Sequence, residues 1–174
     1  MSTAAKARPQ SSEYAPYYDR YISKVPDGDI IAILDRGLNE ALTVIQSIPE
    51  DRGAHRYAEG KWSIKEVIGH VIDGERVFAY RALRFGRNDK TPLPGFEQDD
   101  FMKGAAFDKR TLKDLAEEYE HVRRSTISLF AGFEPEAWDR RGPANNDEVS
   151  VRGIAYIIAG HERHHLEVLK DKYL

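Results

Sequence analysis

The run Ser150-Val151-Arg152-Gly153-Ile154-Ala155-Tyr156-Ile157-Ile158-Ala159-Gly160-His161-Glu162-Arg163-His164-His165-Leu166 decides the fold of this chain. Ser150 is a helix-capping residue, and the apolar residues after it recur at helical spacing. Projected at about 100° per residue, Ile154, Ile157, Ile158, His165 and Val168 share one face with His161. Glu162, Arg163 and Glu167 fall on the sides or back, and His164 on the flank. A helix of this kind buries its apolar stripe against other elements. His161 and His165 therefore interrupt the face that points into a core. Two readings of them compete. As letters, His161-Glu162-Arg163-His164-His165 matches the H-E-x-x-H signature of zinc peptidases. As geometry, His161 and His165 form an i, i+4 pair that suits two imidazoles on one metal.

Three more helical patterns precede this one. The first runs from about Asp29 to Ile48, with Ile30, Ile33, Leu34, Leu38, Ala41, Leu42 and Ile45 in register. Ser63, with Glu66 three residues on, makes a capping box that opens a second helix reaching about Phe85. Thr111 and Asp114 open a third, to about Phe133. Pro49 to Lys61 and Pro135 to Glu148 read as connections. Gly86 to Phe107 is a long one containing Pro92, Pro94 and Gly95, with a short helical turn around Asp99 to Lys103. Loops of that length are commonly functional or disordered. No alternating strand pattern persists. The expectation is an all-α protein, an antiparallel four-helix bundle. It forms one domain over residues 16–174, behind a mobile lead-in at residues 1–15.

The second helix repeats the pattern of the last. His70 shares its face with Val67, Gly74, Val77, Arg81 and Phe85. If the second and fourth helices are neighbours, His70 joins His161 and His165 at one level of the bundle. One histidine on an apolar face is ordinarily a hydrogen-bonded core residue, but three of the chain's six are harder to satisfy that way. Arg81, three turns beyond His70, could bind an anionic group of a substrate or snorkel to solvent. Asp73 and Glu66 flank His70 and could orient an imidazole, or stand as exposed helix charges. His164 falls outside the inward set and could support the ligands from behind or stand at the surface; His55 and His121 read as surface residues. Trp62 and Trp138, at helix starts, read as packing anchors. Phe96 and Phe101 could line a pocket entrance. The peptidase reading has a weakness: zincins take a third ligand downstream of the motif, and only nine residues follow His165.

Composition narrows the chemistry. The 174 residues carry a net charge of −3, with pI near 6.1, which gives no electrostatic case for nucleic acid or an anionic membrane. There is no cysteine, so histidines and carboxylates are the metal ligands to consider. No signal-peptide pattern and no run of about 18 apolar residues is present. A soluble cytoplasmic protein is expected, with a homodimer plausible for such a bundle.

Two segments resemble the DinB-like superfamily, the DinB/YfiT-like proteins. Lys61-Trp62-Ser63-Ile64-Lys65-Glu66-Val67-Ile68-Gly69-His70-Val71-Ile72-Asp73 is similar to its motif in the second helix, and Ser150 to Leu166 to its C-terminal motif. Pro92-Leu93-Pro94-Gly95-Phe96 is similar to a segment of one branch. The resemblance implies a four-helix bundle holding a divalent metal on three histidines, which fall here on His70, His161 and His165. It implies a metal-dependent hydrolase, or a thiol S-transferase using bacillithiol, mycothiol or glutathione as a low-molecular-weight cosubstrate. Zinc, nickel, iron or manganese suits three imidazoles, which leave positions open for water or a small-molecule substrate. Such a metal could lower the pKa of water for hydrolysis or stabilise a thiolate, so the ligands do not choose between the two. A non-catalytic bundle with a structural or stress-related metal is the alternative.

Overall fold

The computed structural model describes residues 7–174. Six α-helices and one hairpin follow in order: α1 Asp19–Ile22, α2 Ile30–Ser47, α3 Ile64–Gly86, α4 Gln98–Gly104, α5 Leu112–Ala131, β1 Arg141–Ala144, β2 Asp147–Ser150 and α6 Val151–Val168. The long helices start where the capping residues place them. Asp29 accepts from the Ile31 and Ala32 amides, and Thr111 from Asp114. Ser63 and Glu66 exchange the two bonds of a capping box, at 3.1 and 2.8 Å. Ser150 accepts from the Gly153 amide at 2.8 Å. No helix among the described residues is long and apolar enough to cross a membrane.

Helices α2, α3, α5 and α6 form a four-helix bundle in which α2 and α3 each pack on α5 and α6. The bundle is not antiparallel throughout, contrary to the expectation from the sequence. Gly69, early in α3, faces Phe107 just before α5, while Gly86, at the end of α3, faces Phe133 just after α5. These two neighbours therefore run parallel. Between them the chain must travel back the whole length of the bundle, and the Arg87 to Thr111 connection makes that journey. In contrast, α3 and α6 are antiparallel: His70 near the start of α3 meets His165 late in α6, and Phe85 at the other end meets Gly142 ahead of α6.

A two-stranded antiparallel hairpin lies where only a loop is expected from the sequence. Its turn is Asn145-Asn146, with φ of 54° and 67°. Two consecutive left-handed residues make the tight turn that matches strand twist, and asparagine tolerates that conformation better than most residues. The hairpin holds the long connection in place, since the Leu93 amide donates to the Pro143 carbonyl at 2.9 Å and the Asn145 amide to the Leu93 carbonyl at 3.0 Å. Of the lead-in expected at residues 1–15, residues 1–6 lie outside the described residues. The rest is tied down. Arg8 donates to the Ile22 and Val25 carbonyls at 2.7 and 2.8 Å, and buried Glu13 accepts from Ser150 at 2.9 Å.

The core divides in two. One apolar cluster includes Ile33, Leu34, Phe78, Phe85, Phe130, Trp138 and Ile154–Ile158; the other includes Leu38, Ile45, Ile64, Ile72, Leu115, Leu166 and Leu169. Between them the inward positions of the same helices are polar or small: Gly37, Gly74, Glu75, Arg123, Gly160, His161 and Glu162. The site lies in this layer.

Candidate metal centre

Three histidines converge from two helices. His70 reaches in from α3, and His161 and His165, one turn apart, from α6. Each offers one ring nitrogen, and the three nitrogens lie within 4.8 Å of one another. The ring centroids are 4.5 to 4.9 Å apart. His70 Nε2 and His161 Nε2 approach to 3.0 Å, one donating and the other accepting, and this is the one hydrogen bond to the three rings among the described residues. Gly74, one turn beyond His70, makes room for His161: a Cβ there would stand 3.3 Å from the imidazole carbon.

Burial is the main cause that keeps all three rings uncharged. Burial pushes His70 down to about 4 against the opposing charge of Asp99, and His165 down to about 3 with help from His70 and His164. His161 is driven well below the usual histidine range by burial, with His165 and His70 adding to it. Aromatic rings form the surroundings: Trp62 lies 4.8 Å from His70, Tyr21 5.3 Å from His161, and Phe78 6.0 Å from His161.

The donor set fits a divalent ion. Zinc–imidazole bonds of about 2.0–2.1 Å place neighbouring nitrogens roughly 3.3 Å apart in a tetrahedron. The spacings here, from 3.0 Å to no more than 4.8 Å, bracket that value. Metal ligation requires neutral imidazole, which is the state this burial enforces. His70 and His161 also line an open cavity of about 310 Å³, with Tyr18, Tyr21, Phe78, Arg81 and Phe96 on its walls and Glu97, Asp99 and Asp147 among its polar groups.

The other sequence candidates separate clearly. Arg81 does not snorkel to solvent; it is 4% exposed and lines the cavity. Glu66 is spent on the helix cap and on Arg56, and Asp73 faces Arg76 at 3.8 Å, so neither orients an imidazole. His164 is half-buried against Tyr21, outside the group of three. His55 and His121 are exposed. Trp138 is buried against Phe130, and Trp62 packs on His70 itself. Phe96 lines the cavity, while Phe101 is exposed beside it.

The sequence family described as the DinB superfamily matches residues 33–169. The chain belongs to the DinB superfamily. A protein of Oceanobacillus iheyensis named "Putative metal-dependent hydrolase" is 25% identical over 131 residues, covering 72% of this chain and 73% of that protein. In fold the chain is similar to YfiT from Bacillus subtilis, described as "a probable metal-dependent hydrolase with an unusual four-helix bundle topology". The TM-score is 0.68 at 12% identity, over 95% of this chain and 93% of that one. It is also similar to the mycothiol-dependent maleylpyruvate isomerase, with a TM-score of 0.67 at 11% identity. That match covers 82% of this chain and 62% of the isomerase.

One part of this DinB-superfamily site escapes the sequence reading. Glu162, expected on the side or back of its helix, is 2% exposed and forms an ion pair with Arg123 at 2.6 Å. Arg123 also binds Glu75 through two 2.8 Å hydrogen bonds and the Leu34 carbonyl at 3.2 Å, and the Tyr119 hydroxyl donates to Glu162. Burial raises the Glu162 pKa, and Arg123 opposes the rise. The signal was present in the stripes: Arg123 continues the series Leu115, Tyr119, Thr126, Phe130, and Glu75 continues Ile68, Val71, Ile72, Phe78. Two opposite charges on two inward stripes predict each other.

Proposed function

We propose that this protein is a metal-dependent enzyme acting on a small molecule, with His70, His161 and His165 holding one divalent ion. Its reaction is transfer of a low-molecular-weight thiol or hydrolysis. The observation that carries this reading is the convergence of three neutral imidazoles, two of which, His70 and His161, stand on the wall of an open cavity. A divalent ion held there would keep coordination positions open and supply Lewis acidity, lowering the pKa of a water or thiol. The names of the similar proteins support both branches, one through hydrolysis and the other through mycothiol dependence.

The chain's own residues do the remaining work. Trp62, Tyr21 and Phe78 pack against the imidazoles and contribute to the burial that keeps them uncharged. Asp99 lines the same cavity, and its charge is felt at His70, so it is the carboxylate best placed to accept a proton there. Glu162 does not take that part. Its carboxylate is occupied by Arg123 and Tyr119, which argues against an H-E-x-x-H peptidase, whose glutamate must act as the base.

Cobalt substitution tests the reading against a closed, purely structural metal. The visible spectrum of the cobalt-loaded protein should change on titration with azide or a small thiol. A spectrum indifferent to both contradicts an open catalytic position.

A further inference from the structure

Arg81 and Arg123 are both buried arginines, yet they are treated differently. Arg123 is held by two carboxylates. Arg81, 4% exposed, forms no ion pair among the described residues; its Nη2 donates to the Pro94 carbonyl at 2.8 Å, and its guanidinium also meets the Tyr18 hydroxyl. A largely buried cation with no carboxylate paired to it is open to an anion brought within its reach. The guanidinium lies on the wall of the cavity that holds His70 and His161. It also sits beside Tyr18, whose hydroxyl pKa is raised by burial and drawn back by the guanidinium.

We propose that Arg81 is an anion-binding pole of this cavity, and that the substrate carries a terminal carboxylate. A flat or apolar segment would join that carboxylate to the group that reacts at the histidines. The inference rests on reading the histidines as the reactive pole. Phe78 sets the geometry, since its ring centroid is 5.7 Å from the guanidinium carbon and 6.0 Å from the His161 ring. One aromatic face thus spans the distance between the poles, with Tyr18 edge-on to it at 6.1 Å. The volume, about 310 Å³, falls at the small end of the range for small-molecule sites.

The guanidinium is also positioned in advance. Pro94 fixes one of its nitrogens, and the next residue, Gly95, lies so close to the Asn145 side chain that a Cβ would collide with it. The loop bearing Pro94 is therefore braced by the hairpin, and the planar fork of Arg81 is ready for a carboxylate. Glu97, Asp99 and Asp147 on the same cavity favour a single negative charge over the nearly two of a phosphate monoester.

The test is titration of phenylacetate, 2-phenylethanol and phenyl phosphate into the protein at low salt, followed by calorimetry or NMR. Metal-free and zinc-treated protein are both used, for the wild type, Arg81→Gln and Arg81→Lys. The wild type should prefer phenylacetate over the neutral alcohol by about tenfold or more, and over phenyl phosphate. Arg81→Gln should remove the preference for phenylacetate over the alcohol and Arg81→Lys retain part of it, so the lysine variant decides if the glutamine variant does not fold. No preference in the wild type, one that survives in folded Arg81→Gln, or one undiminished in Arg81→Lys, overturns the anion site. Tighter binding of phenyl phosphate overturns the carboxylate assignment. A chain that binds no zinc but keeps the Arg81-dependent preference sinks the metal reading alone; zinc uptake without the preference sinks this inference alone.

Discussion

Arg123 has no exposure at all, and it lies between Glu75 on α3 and Glu162 on α6 while itself standing on α5. Removing it leaves two carboxylates in the core with no cation between them. Arg123→Met should cost about 3–5 kcal/mol of stability, read as a lower urea midpoint; a loss under 1 kcal/mol would show that the carboxylates find other partners. His70, His161 and His165 were legible in the sequence because an imidazole breaking an apolar stripe is conspicuous. Arg123 and Glu75 break their stripes in the same way. They escaped notice because a charge on a helix is ordinarily solvated, and only the pair, seen across two helices, identifies itself. Arg81 was legible as a residue of the His70 face, but whether it reached solvent depended on the loop that covers it.

At the level of elements, periodicity reported the four long helices and which face each one buries, and the caps fixed their starts at Asp29, Ser63, Thr111 and Ser150. It says nothing about direction or neighbours, so the parallel pairing of α3 and α5 had to come from the structure. The length of the Gly86 to Phe107 connection was the available hint, because a parallel pair needs a return path. Helix α1 was missed, being one turn long. It seats on α6 at Gly160, where a Cβ would collide with the Tyr21 carbonyl. Gly160→Ala should therefore push α1 off α6, destabilising the protein by about 1–3 kcal/mol. It should also loosen Tyr21 from His161, visible as a change in near-ultraviolet circular dichroism. Unchanged stability and spectrum would show that α1 is not seated so closely.

Across the whole molecule, the polar layer between two apolar clusters makes stability depend on pH. In the unfolded chain histidines titrate near 6.5, as their reference value gives, whereas folded His70 does so at about 4 and His165 at about 3. Between those values the unfolded chain holds more protons, so acid favours unfolding. The metal-free protein should lose stability as pH falls from about 6.5 towards 4, by up to roughly 1.4 kcal/mol per pH unit for each such histidine. Glu162, its pKa raised by burial, contributes with the opposite sign: its share is present at low pH and lost as pH rises through its folded value. Urea midpoints at pH 7.5 and 5.0 measure the balance, and His165→Ala should flatten the slope. Equal midpoints in the parent protein would contradict the neutral, buried state assigned to these rings.

A metal ion held at His70, His161 and His165 would be shared by α3 and α6. Metal content by mass spectrometry, on the native protein and on His70→Ala and His161→Ala, tests it most directly. About one divalent metal per chain is expected in the parent, with its loss in both variants, one from each helix. Absence of metal after reconstitution, or its retention in either folded variant, would contradict it.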